Sequence, residues 1–374
     1  MSRITTLALL LTFLFSGSAH GQLEKGSLLL DFRGHSGYDS EIDHVIPRLY
    51  AKVGYFPTQA LAVGVRVGGY GHLVSGQNFG DAMYAGFARY YFNPNSDNYF
   101  FYGELEGGII SNYSEFADTR NLTILKPTVG ANFINTGSVA IEAALGISII
   151  ENPNTEELRF NNFVMKIGWR SMINESSKEM MKEMREEAEP FFRRGTVSLS
   201  SGFNLNSDFV PGRFIDITLA DVEFNSEAVS YNNLSDGRSA VLAFNAGVGF
   251  FLSEQTMFSL NMGVTNFGGS EFEGATTLFS IEPGLRYYLS LGEQSRSNLY
   301  LQGGYEFGGL NLEGLGTEYT YGFLNGGIGI NYMLTPGSAL ELGVDYGQLK
   351  TDETSGPSET INLFKFNYGL RVFL

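Results

Sequence analysis

The last stretch of the chain, Ile361-Asn-Leu-Phe-Lys-Phe-Asn-Tyr-Gly-Leu-Arg-Val-Phe-Leu374, alternates between two kinds of side chain. One parity carries Phe364, Phe366, Tyr368, Leu370, Val372 and Leu374, and the other includes Lys365, Asn367, Gly369 and Arg371. Successive side chains of a β-strand point to opposite faces, so the segment predicts a strand with one apolar and one polar face. It exceeds the about five or six residues usual in soluble sheets and is long enough to cross a bilayer at a tilt.

The same alternation recurs along the chain and predicts eight strands in each half. In the first half they fall at roughly 26–34, 45–57, 60–73, 81–93, 98–112, 121–134, 137–149 and 159–170. In the second half they fall at roughly 195–204, 238–252, 255–268, 276–290, 296–309, 319–334, 337–348 and 360–374. Tight connections, such as Asn135-Thr-Gly, alternate with longer polar ones, such as 113–120 and 205–237. This alternation is typical of a transmembrane antiparallel β-barrel, whose short turns lie in the periplasm.

Composition excludes several other classes. The 374 residues include 47 Gly, 31 Phe, 20 Tyr and no Cys, and charged residues make up 17%. Without cysteine there is no disulfide framework, thiolate metal site, Cys nucleophile or lipid-modified Cys. The net charge of −16 argues against nucleic-acid binding, which needs a cationic surface to replace phosphate counterions.

Residues 1–21 have the pattern of a secretory signal peptide. Arg3 supplies a positive start, Leu7 to Phe15 form a short apolar run, and Ala19 and Gly21 are the small residues before a cleavage site. The apolar run is shorter than the about 20 residues that a spanning helix needs. We therefore expect export rather than an inner-membrane anchor.

The strand count leaves two architectures open. Two tandem eight-stranded barrels, at 22–170 and 195–374, are favoured because each half has its own balanced luminal charges and its own closing strand. One sixteen-stranded barrel is the alternative, since that strand number is also even. Filled eight-stranded barrels would not conduct, whereas sixteen strands enclose an aqueous channel.

Between the halves, residues 171–194 form the one segment with helical character. Ser176 or Ser177 could cap a helix that Pro190 stops, and Met180, Met184 and Ala188 would share a stripe. The favoured interpretation is a solvated helical periplasmic linker. The alternative is a helix that lies on the inner leaflet or covers a barrel mouth.

The polar parity of the strands predicts charged lumens in both halves. In the first half these residues are Arg48, Lys52, Arg66, Arg89, Glu104, Glu106, Lys126, Glu142 and Lys166. In the second half they are Glu282, Arg286, Glu306, Glu341, Asp345, Lys365 and Arg371. Buried charges should pair, so an ion-pair plug is favoured over a selective pore lining or a proton-relay path.

Three histidines remain after export, His35, His44 and His72, and all fall near the predicted outer rim. With neighbouring serines and carboxylates they could serve a lipid-acting enzyme, but nothing orders them into a triad, and neither a GxSxG elbow nor an HExxH helix is present. We therefore predict no catalytic, cofactor-binding or metal-binding residues, and no cofactor.

Several short motifs carry a family resemblance. They are the start Gln22-Leu-Glu-Lys-Gly-Ser-Leu-Leu-Leu, the strand ends Arg89-Tyr-Tyr-Phe92 and Arg286-Tyr-Tyr-Leu289, and the closing Tyr368-Gly-Leu-Arg-Val-Phe-Leu374. The chain resembles the small outer-membrane β-barrel proteins of the Gram-negative envelope, in two tandem copies. The resemblance implies residence in the outer membrane, in contact with lipid and lipopolysaccharide, and insertion by the barrel-assembly machinery. Family barrels usually end in an aromatic residue, whereas this chain ends in Leu374.

The expected function is structural or surface-interacting, without catalysis, and with the 205–237 loop shown to the exterior. A passive porin is the alternative if the halves form one sixteen-stranded barrel. A lipid-modifying outer-membrane enzyme is a remote third possibility. The sequence identifies no extracellular ligand.

Overall fold

The architecture is that of a computed structural model, and it is all-β apart from one helix. The structure describes residues 23–374 except 40–43, 75–76, 97–98, 115–116, 136–137, 152, 154–158, 188–189, 201–226, 234–237, 270–275, 292–294, 313–316 and 354–358. The predicted signal peptide, residues 1–21, lies outside this part of the chain.

Seventeen strands and one helix follow each other along the described chain. The first half contains β1 Leu28–Asp39, β2 His44–Tyr55, β3 Leu61–Val74, β4 Gln77–Tyr91, β5 Tyr99–Ser114, β6 Ala117–Asn135, β7 Val139–Glu151 and β8 Arg159–Ile173. Helix α1, Glu175–Glu186, joins the halves. The second half contains β9 Val197–Ser200, β10 Glu227–Asn233, β11 Arg238–Phe251, β12 Thr256–Gly269, β13 Thr276–Ser290, β14 Ser297–Leu312, β15 Thr317–Thr335, β16 Ser338–Glu353 and β17 Glu359–Phe373.

Each half closes into its own eight-stranded antiparallel barrel at the end where the strands are joined by short turns, called here the turn end. In the first barrel, Leu28–Leu30 of β1 pair with Ser171–Ile173 of β8. In the second, β9 lies between β17 and β11 and pairs with both. The first barrel is thus β1–β8 and the second is β9 with β11–β17. The prediction of two tandem eight-stranded barrels is confirmed.

At the opposite end, called the loop end, the two barrels exchange strand partners. The part of β1 nearer the loop end pairs with β17 instead of β8, from Arg33↔Gly369 to Asp39↔Leu363. The part of β8 nearer the loop end pairs with β10 in the same way. Strands β1–β8 and β10–β17 therefore form one continuous ring there. The predicted sixteen-stranded alternative describes this level of the molecule only.

Two predicted features are corrected at the loop end. The segment predicted as a loop at 205–237 contains strand β10, which takes over from β9 as the first strand of the second half. The other parts of that loop, 205–226 and 234–237, lie outside the described residues. Strands also extend beyond their predicted limits at the loop end: β5 and β6 continue to the pair Ser114↔Ala117, inside the predicted loop 113–120.

Helix α1 begins after Asn174, which accepts a hydrogen bond from the Ser177 backbone N–H, while the Asn174 N–H donates to the Ser177 hydroxyl. The expectation that a serine caps the helix was therefore wrong. Of the predicted stripe of Met180, Met184 and Ala188, Met180 is exposed, Met184 is half-buried and Ala188 lies outside the described residues, and the methionine that the helix buries is Met181. Over the described ranges, no helix has the length and apolarity needed to cross a membrane.

A belt of apolar side chains covers the outside of both barrels. Near the turn end it is aromatic, with exposed Tyr55, Tyr90, Phe92, Tyr99 and Phe101 on the first barrel and Phe250, Phe258, Tyr287 and Tyr332 on the second. Aromatic girdles around an outward apolar band are the mark of an outer-membrane β-barrel, and the molecule is one.

Part of this outer surface is buried where the barrels meet, in a region called here the inter-barrel seam. Trp169 and Val139 of the first barrel pack with Ala246, Leu370 and Val372 of the second. The Ser171 and Ser338 hydroxyls also lie 2.6 Å apart across it. The two barrels are therefore joined by packing as well as by shared strands.

Candidate functional site

The candidate sites are the two lumens, because the polar parity of the strands points inward. Every predicted luminal charge whose side chain the structure describes is buried, except the half-buried Glu282. The side chains of Arg48 and Lys166 lie outside the described part. Sequence reasoning missed two buried members of the first lumen, Asp31 and Arg170, because they lie close to strand ends where alternation is hard to read.

The first lumen is crossed by a buried Arg–Glu–Arg triad. Glu142 of β7 accepts from Arg89 of β4 at 2.7 Å with one oxygen and from Arg170 of β8 at 2.7 Å with the other. All three side chains are buried. The triad therefore joins three strands of the wall across the interior.

The second lumen repeats this triad. Glu341 of β16 accepts from Arg286 of β13 at 2.7 Å and from Arg371 of β17 at 2.6 Å. Arg286 also reaches the other oxygen of Glu341, at 3.0 Å. Arg89 and Arg286 each begin an Arg-Tyr-Tyr motif, so this sequence repeat corresponds to a shared luminal structure.

The neighbours of the triad are repeated as well. The Arg89 guanidinium lies 3.8 Å from the centre of the Tyr102 ring, and that of Arg286 lies 3.9 Å from the centre of the Tyr300 ring. Tyr91 and Tyr288 occupy the same position in the two barrels, and their hydroxyls accept hydrogen bonds from Arg89 and Arg286. Asn132 and Asn331 also correspond, and their side-chain amides donate to these tyrosine hydroxyls. So many matching contacts identify the two barrels as copies of one unit.

Each copy is also entered by the same turn. Leu23-Glu-Lys-Gly-Ser27 precedes β1, and Phe192-Arg-Arg-Gly-Thr196 precedes β9. Gly26 and Gly195 have φ of 90° and 94°, a left-handed conformation that glycine adopts without steric cost. Their N–H groups donate at 2.8 Å to the carbonyl oxygens of Phe56 and Phe251.

The first residue of each turn is buried in an apolar plug at the turn end. In the first barrel Leu23 joins a cluster that contains Phe56, Tyr91 and Phe100. In the second, the Phe192 ring lies 4.7 Å from Phe251, 4.7 Å from Tyr288 and 4.9 Å from Phe373, measured between ring centres. Helix α1 adds Met181 to this second cluster.

On the loop-end side of its triad, the first lumen contains a lattice of charged side chains. Lys52 contacts Glu104 at 2.6 Å and Glu106 at 3.3 Å, and Arg66 contacts Glu106 at 2.7 Å. Arg89 joins the lattice to the triad by its 2.7 Å contact with Glu104. The predicted ion-pair plug is therefore confirmed for the first barrel.

The second lumen has smaller and more neutral residues at the same positions. The two copies can be aligned by matching Phe56 with Phe251, Arg89 with Arg286, Tyr102 with Tyr300 and Asn132 with Asn331. This alignment matches six luminal residues of the first copy with six of the second: Lys52 with Gly247, Arg66 with Asn261, Phe87 with Gly284, Glu104 with Gln302, Glu106 with Gly304 and Lys126 with Asn325. These exchanges leave a polar cavity of about 80 Å³ above the second triad. Sequence reasoning missed this cavity, although aligning the two halves would have located it.

The predicted histidines lie on three adjacent strands. His35 of β1 pairs with Arg48 of β2, His44 pairs with Asp39, and His72 of β3 pairs with Phe79 of β4. Their side chains are outside the described part of the structure. Among the described residues, no cluster of three or more His, Asp or Glu side chains is arranged to hold a metal ion.

Comparison with known proteins gives no family. No protein-family model matches the chain, and no curated protein matches its sequence. Similar solved structures include a bacterial polysaccharide outer membrane secretin, 9% identical, with 93% of this chain and 99% of that chain covered and a TM-score of 0.43. The CymD monoaromatic hydrocarbon channel is 9% identical over 94% of this chain and 89% of its own, with a TM-score of 0.35. The outer membrane protein OprG of Pseudomonas aeruginosa is 12% identical over 48% of this chain and 92% of its own, with a TM-score of 0.26. At these identities and TM-scores, the matches say nothing of what this chain binds or transports.

Proposed function

We propose that the protein is a non-conducting, non-catalytic double barrel with a structural or surface-interacting role in the outer membrane. Its short turns would face the periplasm and its loop end the exterior, as in other barrels of this type. Contact with lipopolysaccharide and insertion by the barrel-assembly machinery belong to the same proposal.

The observation that carries the proposal is that both lumens are filled at the turn end. Leu23 closes the first barrel and Phe192 closes the second, each within a cluster of buried aromatic side chains. Eight strands leave an interior just wide enough for side chains to fill. A solute that entered from the loop end would meet apolar rings across each lumen.

Single-channel recording tests the proposal. The refolded full chain in a planar bilayer should give no steps, while a general porin recorded in the same chamber should give large ones. Folding and insertion are checked beforehand by the heat-modifiable migration typical of intact barrels. Large, regular conductance steps from the folded protein would overturn the proposal in favour of a porin.

The absence of catalysis is tested separately on lipid. Outer-membrane vesicles that contain the protein should show the same lipid A profile as vesicles without it, by mass spectrometry. A change in acylation that disappears in the His72→Ala variant would replace the structural role with an enzymatic one.

A further inference from the structure

The cavity of the second barrel differs from the first lumen in charge as well as in volume. Three luminal cations of the first copy, Lys52, Arg66 and Lys126, correspond to Gly247, Asn261 and Asn325 in the second. The carboxylates are moved rather than added: Glu104 and Glu106 of the first copy become Gln302 and Gly304, while Glu282 stands where the first copy has Ala85 and Asp345 where it has Gly146. The cavity therefore has fewer cations than the first lumen, with Lys365 as the basic residue of its lining outside the triad, and its carboxylates lie at new positions while the triad is kept.

The new carboxylates are held mainly by neutral amides. One oxygen of Glu282 accepts from Asn325 at 2.8 Å and the other from Asn261 at 2.8 Å. Asp345 accepts from the amides of Gln302 and Asn367. The two side-chain hydrogen bonds of Glu282 thus both come from neutral amides, although Lys365 lines the same cavity.

This arrangement differs from that of the first lumen, where Glu104, Glu106 and Glu142 each contact two basic side chains. A carboxylate inside a barrel is costly to hold without a counter-charge, and proteins normally pair it. Two amides orient the Glu282 carboxylate and satisfy one lone pair on each oxygen, and the remaining lone pairs can accept further hydrogen bonds.

Glycines keep the space around these acceptors open. A Cβ atom on Gly304 would lie 3.3 Å from a Glu282 oxygen, and one on Gly247 would lie 2.4 Å from the Asn261 side-chain oxygen. A single water needs about 10–15 Å³ of cavity volume, so a cavity of about 80 Å³ accepts a ligand of roughly five to eight heavy atoms.

We propose that the second lumen binds a small organic cation with N–H donors, of the alkylammonium or alkylguanidinium class, and that Glu282 is its principal partner. Gln302 and Asn325 would orient it from the wall. The cavity is lined by Ser200, where the described part of β9 ends, and by Gly369, near the point where the partner of β17 changes from β9 to β1. The ligand would therefore enter from the loop end, where the barrels share one ring. This binding requires no conduction.

Calorimetric titration of methylguanidinium chloride into the refolded full chain tests the proposal. Binding should saturate at one site per chain, with sodium chloride of equal ionic strength as the blank. Glu282→Gln removes the charge at nearly constant size and should weaken binding at least tenfold. Glu254→Gln, the matched control in the exposed β11–β12 turn, should leave binding unchanged.

A second variant guards against misfolding. Glu282→Ala introduces the residue that the first copy carries at the same position and should also abolish binding while heat-modifiable migration is kept. Saturable binding that is equal in wild type and in either folded Glu282 variant would overturn the proposal, as would heats no larger than those of sodium chloride. A silent bilayer recording leaves this result unaffected, so the two proposals fail separately.

Discussion

The two copies of the Arg–Glu–Arg triad allow one matched perturbation, replacement of the central glutamate by glutamine in each barrel. Glu341→Gln removes the only carboxylate that contacts Arg286 and Arg371 in the described part of the second lumen. Both arginines then stay buried with neutral partners, Gln302 and Ser198. Breaking a buried pair from one side typically costs about 3–5 kcal/mol, and we expect a loss of stability in that range.

Glu142→Gln should cost less, although the substitution is chemically the same. Arg89 would keep its 2.7 Å contact with Glu104, and Arg170 would keep Asp31 at 3.8 Å. We therefore expect about 1.5–3 kcal/mol, the contribution of hydrogen bonds to a charged group without a stranded cation. The order of the two effects follows from the charge lattice that only the first lumen possesses.

Equilibrium unfolding in urea, with the refolded protein in detergent micelles, measures both variants. The fluorescence of Trp169, the only tryptophan of the chain, follows the transition because it is buried in the inter-barrel seam. Glu254→Gln should change the free energy of unfolding by less than about 0.5 kcal/mol, as surface changes usually do. The reasoning is refuted if Glu142→Gln is as destabilising as Glu341→Gln, or if Glu341→Gln costs under about 1 kcal/mol.

Two further predictions concern the plug and the shared ring. Phe192→Ala should destabilise the protein by about 3–5 kcal/mol, because a buried ring that packs on three aromatic side chains is lost. Phe191→Ala, at a half-buried position, should cost less than half as much in the same urea assay. Equal losses would mean that Phe192 does not plug the barrel. The variant with His35→Cys and Asn367→Cys should form a disulfide on oxidation, since these residues pair between β1 and β17 and the natural chain has no cysteine. His35→Cys with Leu363→Cys, four residues or about 13 Å out of register, should not cross-link, and the same yield from both pairs on non-reducing gels would exclude the exchanged pairing.

Alternation along the strands predicted the barrel and its luminal charges, because the two-residue period fixes which side chains face inward. It could not predict the partner exchange at the loop end. Strands β8 and β17 occupy the same place in two copies of one unit, so β1 has two similar edges with which to pair. The choice between them depends on three-dimensional closure rather than on the pattern of any one strand.

The plugs were missed for a different reason. Leu23 and Phe192 precede the first strand of their barrels, where no periodic signal exists. The shared spacing of Leu23-Glu-Lys-Gly-Ser27 and Phe192-Arg-Arg-Gly-Thr196 could have identified them, since each has an apolar residue three positions before a glycine. The segment 171–194 was recognised as helical from its composition, but the burial of Met181 and Phe192 depends on the barrel beneath them.

The pairing of β1 with both β8 and β17 has a consequence for the order of folding. The base of β1 can be paired once the first half of the chain is made, but Arg33 finds Gly369 only when the last strand is in place. Contacts between residues so far apart in sequence form slowly, because a long loop must be closed before they are gained. Until then the loop-end edge of β1 remains open, whereas that of β8 can already pair with β10. The first barrel should therefore pass through a half-closed intermediate, and a chain truncated before β17 should be arrested in it.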